Sequence, residues 1–134
     1  MKLIDDIVAG QDEARAWRRD LHAHPELCFE EQRTAELVAG LLTQWGIPVE
    51  RGLARTGVVG ILHGRDGGAS GRTIGLRADM DALPLQEANT FPHASRNPGR
   101  MHACGHDGHT AMLLAAAQHF ARNRNFDGTV YLIF

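Results

Sequence analysis

Leu3, Ile7, Gly10, Ala14, Trp17 and Leu21 recur at alternating steps of four and three, the spacing of one face of an α-helix. Gly10 weakens the stripe near its middle. The helix should stop before His24-Pro25, because the residue ahead of a proline avoids helical angles. A clearer stripe follows in Leu37, Val38, Leu41, Leu42 and Trp45. Glu30, Glu31 and Glu36 fall on its other side or in its first turns, and Gly46 suits the position just past its end.

After Gly46 the period changes. The segments 47–53 and 57–62 are short and rich in β-branched residues, which predicts strands. The Gly- and polar-rich run 64–72 reads as an exposed turn. In 73–79, Ile74, Leu76 and Ala78 alternate with Thr73, Gly75, Arg77 and Asp79, predicting another strand. Pro84, Pro92, Pro98 and Gly99 break the stretch 84–100 into loop. Asp107 then reads as the N-cap of a helix through Ala111 to Ala121, apolar nearly all round and so buried. A strand over 129–134 ends the chain. The order ααβββαβ, without repeats or linkers, predicts a layered α/β domain, helices packed on a mixed sheet. Nothing polar follows Phe134, and a charged carboxylate ending a core strand is costly. We therefore expect a truncated chain, the front part of a longer protein; the alternative is a short edge strand ending at the surface.

Composition narrows the classes. The chain has 134 residues, 43% hydrophobic and 22% charged, which suits one soluble globular domain. Its formal charge of −2 gives no electrostatic reason to expect nucleic acid or anionic lipid as a partner. No apolar run reaches the roughly 18 residues of a membrane span. The first ten residues lack a secretory h-region, so a cytoplasmic protein is expected, and two cysteines make no disulfide framework. Histidine is the unusual quantity: of eight, His93, His102, His106 and His109 crowd into one stretch.

Within Met101-His102-Ala103-Cys104-Gly105-His106-Asp107-Gly108-His109, Cys104 and His106 are two apart, which in extended backbone puts both side chains on one side. They precede a helix N-terminus, whose dipole favours a thiolate. Thiolate plus imidazole suits zinc or another borderline divalent ion. The plainer alternative makes Cys104 a small buried apolar residue and the histidines caps, and two donors do not complete a site. Asp79 and Asp81 leave a predicted strand, where ligand sites of open α/β sheets lie. They could orient metal ligands; alternatively Asp79 pairs with Arg77 and Asp81 caps a turn. The cluster 18–26, Arg-Arg-Asp-Leu-His-Ala-His-Pro-Glu, has no chemistry visible in its spacing. Cys28, His63, His119, Met80, Met101 and Met112 read as structural, packing or surface residues. There is no P-loop lysine in the glycine run and no Gly-x-Ser-x-Gly elbow, while a Cys104–His nucleophilic pair stays as a minor alternative.

Three blocks, Arg18 to Leu27, Leu76 to Pro84 and Met101 to Ala111, resemble in order the M20 metallopeptidase family in its amidohydrolase branch. That branch holds hippurate hydrolases, N-acyl-amino-acid amidohydrolases and auxin-conjugate hydrolases, and the resemblance runs from about Ala14 to Phe134. It implies a zinc-peptidase-like catalytic domain and a hydrolase of the amide bond of N-acyl amino acids, small-molecule substrates. It implies two divalent ions (Zn, Mn, Ni or Co), with Cys104 and His106 as ligands and Asp81 as the catalytic aspartate beside them. Asp79 and His109 would stand behind the ligands. The family's general base, in a Gln-Pro-Ala-Glu-Glu-like segment, its later ligands and its dimerisation domain are absent from these residues. The resemblance thus implies an inactive chain on its own and a homodimeric intact protein. The competing class is a non-catalytic domain that binds metal weakly or a partner through an exposed sheet edge.

Overall fold

A computed structural model describes residues 4–134. Helices α1 (Asp5–Ala9) and α2 (Gln11–Ala23) meet at Gly10, so the first predicted helix is two, and Leu3 lies outside the described residues. Helix α2 ends one residue before His24, where the proline rule places it. Helix α3 (Gln32–Gln44) buries Val38, Ala39 and Leu42, and Gly46 follows its end at φ 71°, a left-handed angle that glycine adopts without a Cβ clash.

Strands β1 (Val49–Leu53), β2 (Gly57–His63), β3 (Thr73–Arg77) and β4 (Thr129–Ile133) form one mixed sheet in the order β1-β2-β4-β3. The β1–β2 and β2–β4 pairs are antiparallel, and β3–β4 is parallel. A parallel pair needs a long crossover, and here the loop 78–105 and helix α4 (His106–Arg122) supply it. The edge-strand alternative for the last segment is corrected: β4 lies between β2 and β3. The edges are β1 and β3, and on β3 Ile74 is 56% exposed although its alternating pattern suggested a core position.

The core lies between the helices and one sheet face: Val38 and Leu42 of α3, Leu113, Leu114 and Ala117 of α4, and Val58, Leu62, Val130 and Leu132 of the sheet. Two further expectations change. Met112, on α4, is exposed, so that helix is not apolar all round. Glu31, placed by its spacing opposite the apolar stripe or in the first turn, is buried and accepts a hydrogen bond from the Thr56 hydroxyl at 2.7 Å. Among the described residues no helix is long and apolar enough to cross a membrane.

The glycine-rich turn is organised by Asp66, whose carboxylate accepts from the backbone N–H of Gly128, Ser70 and Gly68. Those donors, Gly128 first, hold its pKa far below the usual carboxylate value, against the opposing effect of burial. A carboxyl depressed in the folded state contributes stability that is complete above its unfolded pKa, about 3.9, and is lost as pH falls through the folded value. Chemical denaturation across the acid range is expected to show Asp66→Asn less stable than the parent at neutral pH. The gap should close as pH falls below about 3.9. Parallel curves for the two proteins would contradict the assignment.

Candidate metal centre

The turn that carries the third sequence block begins at Gly105, the N-cap of α4, with φ 92°. This left-handed angle turns the chain between Cys104 and His106, so the same-side argument from extended backbone does not apply there. The N-cap expectation for Asp107 is corrected for the same reason. Asp107 lies inside the first turn of α4 with its side chain buried.

Strand β3 delivers Asp79 and Asp81 at its C-terminal end, beside the start of α4, the expected location for a site in an open α/β sheet. His106 Nδ1 lies 2.9 Å from both the carboxylate and the backbone carbonyl of Asp81. Both partners accept, so Nδ1 donates, and in the neutral ring Nε2 carries the lone pair. That Nε2 faces Asp79 Oδ1 at 3.6 Å. His109, one turn further along α4 and stacked on His106, donates from Nδ1 to the same Asp79 oxygen at 2.7 Å. Donor atoms of Asp79, His106 and His109 thus lie within 4.8 Å of one another.

The His109 hydrogen bond, against some burial and with help from His106 and Arg77, lowers the Asp79 pKa and keeps it a carboxylate. Arg77 also reaches Asp79, at 3.3 Å, so the pairing weighed as the plain alternative coexists with the histidine contacts. One carboxylate and two imidazoles suit a borderline divalent cation, and the Asp81 contact fixes the imidazole as metal-binding histidines require. The donor set therefore fits the metal that the resemblance implies. Asp79 and His109, expected behind the ligands, are themselves members of this donor group. Cys104 is exposed and lies outside the trio. A cleft of about 260 Å³ opens beside Asp79 and Asp81, between Phe29, Arg77 and Phe134.

Behind the trio sits a buried polar layer that spacing did not reveal. His22 of α2 places Nδ1 2.8 Å from Asp107 and Nε2 3.1 Å from Glu87. Burial pushes the Glu87 pKa up, but the Ser95 N–H, Asn89 and His22 outweigh it, leaving the pKa lowered. His102 is buried with neither ring nitrogen hydrogen-bonded among the described residues, and burial drives its pKa down, favouring neutral imidazole. The first block also builds structure through Glu26. Its carboxylate accepts from the N–H of Arg33 and Thr34 and from the Thr34 hydroxyl, capping α3 from outside the helix. The signal available in sequence was only that His22 and Glu26 share a block with two arginines.

Known proteins place the site in context. Residues 75–134 match the peptidase family M20/M25/M40. The chain is 49% identical over 124 residues to the N-acyl-L-amino acid amidohydrolase of Geobacillus stearothermophilus, covering 92% of itself and 32% of that protein. It is 48% identical over 134 residues to the hippurate hydrolase of Campylobacter jejuni, covering 100% of itself and 34% of that protein. The crystal structure of the Bacillus subtilis YXEP protein, described as a dinuclear metal-binding peptidase of the M20 family, superposes with a TM-score of 0.87 at 40% identity. That match covers 95% of this chain and 35% of the other. The chain spans about a third of the length of the curated relatives it matches. Sequence blocks, mixed sheet and the likeness to a metal-binding fold agree, and on these grounds the chain belongs to the M20/M25/M40 peptidase family.

Proposed function

We propose that these residues are the N-terminal portion of the catalytic domain of a metal-dependent amidohydrolase that cuts the amide bond of N-acyl amino acids. The reading is carried by the convergence of Asp79, His106 and His109 beside a His106 ring that Asp81 holds in one tautomer. The names of the two curated relatives support the substrate class, with benzoylglycine as the first compound to try. Resemblance to the family puts Cys104 and His106 among the ligands of a two-ion centre. Zn, Mn, Ni or Co bound there would lower the pKa of a coordinated water and polarise the scissile carbonyl. The residues of this chain present donors and hold them. Asp81 keeps the His106 proton on Nδ1, and Asp79 supplies the negative charge that a cation needs. The general base belongs to the family's Gln-Pro-Ala-Glu-Glu-like segment, and the working protein is a cytoplasmic homodimer.

A protein carrying this chain together with that segment is expected to release glycine from benzoylglycine and to stop when a chelator is added. The 134 residues alone are expected to show no such turnover and to hold metal poorly, with Cys104→Ala removing what they hold. Elemental analysis finding metal content untouched by that substitution would remove Cys104 from the site. Chelator-sensitive turnover by the chain alone would show the base to be within it.

A further inference from the structure

Asp107 adjoins His106, yet its side chain points away from the donor trio, into the protein. There its carboxylate, fully buried, takes a hydrogen bond from His22 Nδ1 at 2.8 Å, with Arg18 Nε 3.4 Å away. The other ring nitrogen of His22 faces Glu87, whose side chain is 2% exposed. Glu87 is itself held in the loop 84–100 by the N–H of Ser95 and the amide of Asn89. Asp107 and Glu87 both accept, so bonds from the two His22 ring nitrogens at once require the doubly protonated ring, and a neutral ring donates to one of them. One imidazole therefore bridges α2, the first turn of α4 and the loop between β3 and α4. Removing one partner of such a buried set leaves the others unpaired in a dry interior, so the set fixes its members tightly. The members are 85 and 65 residues apart in sequence, so the bridge ties together segments that no local rule connects.

We propose that His22 is a positioning residue for the metal centre: its bond to Asp107 anchors the first turn of α4 and so aims His106 and His109 at Asp79. The inference rests on the function proposed above but is read from different atoms. The trio's own contacts orient each ring within the site, whereas His22 sets where the turn bearing those rings lies against the body of the domain. The two ring nitrogens have distinct parts. Nδ1 holds the helix, and Nε2 holds the loop. The helix bond should carry the effect on the site, and the loop bond should not.

Two substitutions separate these bonds. His22→Asn puts an amide N–H where Nδ1 was and keeps the donor to Asp107; His22→Gln extends to the Nε2 position and keeps the donor to Glu87. In the metal-free 134-residue chain, nitrogen NMR of the His106 ring reports whether the proton sits on Nδ1 in the bond to Asp81. The parent and His22→Asn are expected to show the Nδ1–H tautomer, and His22→Gln a tautomeric mixture. Cobalt titration against a competing chelator is expected to weaken about 10- to 100-fold for His22→Gln and to stay within about threefold for His22→Asn. Equal behaviour of the two variants, in either direction, would overturn the proposal, because a purely structural histidine offers no reason for one amide to rescue and the other to fail. If the parent binds no cobalt, the chain alone lacks a usable metal site, as its poor expected affinity allows, while the tautomer comparison still decides the role of His22. Should His22→Gln not fold, Glu87→Gln tests the loop side. It is expected to leave the His106 tautomer unchanged, and its loss there would sink the assignment.

Discussion

Truncating Leu114 to alanine is expected to lower the unfolding free energy of the chain by about 3–5 kcal/mol. Leu114 is fully buried, on the face of α4 that meets the core residues Val38 and Leu42 of α3 and Leu62 and Leu132 of the sheet. The loss combines the transfer energy of the missing atoms with the cavity that surrounding groups fail to close, and it grows with how little they relax. Helix on one side and hydrogen-bonded sheet on the other leave little room to collapse. For a domain whose whole stability is about 5–15 kcal/mol, a loss of this size is about a fifth or more. The matched control lies two residues back on the same helix. Met112 is 65% exposed, and Met112→Ala is expected to change stability by no more than about 0.5 kcal/mol. Urea denaturation of both variants checks the pair. The midpoint should fall for Leu114→Ala at unchanged slope and stay put for Met112→Ala. A Leu114→Ala cost under about 1 kcal/mol would mean that α4 is not seated on the sheet as described.

What could be read from sequence follows from how far each determining interaction reaches along the chain. Helix α3 was plain because its stripe, its end at Gly46 and its length are local properties. The strands were found by their period of two, but that period does not say which face is covered. Ile74 consequently reads as core and stands exposed on the edge strand β3. Asp107 reads as a cap because aspartate favours helix starts, whereas Gly105 takes the cap position and long-range pairing with His22 draws the aspartate inward. The same glycine undoes the extended-chain argument for Cys104 and His106. At the site, the likeness of three sequence blocks to one family named Asp79, Asp81, Cys104, His106 and His109 together. Their grouping is tertiary: the contact between His109 and Asp79 spans 30 residues, and no periodicity encodes it. Likewise the block around His22 and Glu26 has no spacing signal, because its partners lie on α4, α3 and the loop 84–100.

Replacing His106 by alanine is expected to remove divalent-metal binding from the chain outright. Two donor sets share this residue. One is the Cys104–His106 pair indicated by likeness to the family, and the other is the Asp79–His106–His109 trio formed by the geometry. His106 alone belongs to both, and its Nε2 is free for a metal when the hydrogen bond to Asp81 holds the ring proton on Nδ1. Cobalt(II) separates the sets. A thiolate ligand adds a sulfur-to-metal charge-transfer band in the near ultraviolet, which oxygen and nitrogen donors lack. If Cys104 binds, the parent shows that band and Cys104→Ser abolishes it, while His109→Ala weakens affinity and leaves the band in place. If the trio alone binds, no band forms, Cys104→Ser changes nothing, and His109→Ala and Asp79→Ala each reduce affinity sharply. Carboxylate and imidazole donors must shed protons to bind, so affinity should fall on acidification in either case. Cobalt binding by His106→Ala equal to the parent would exclude both sets and, with them, a metal centre at the end of β3.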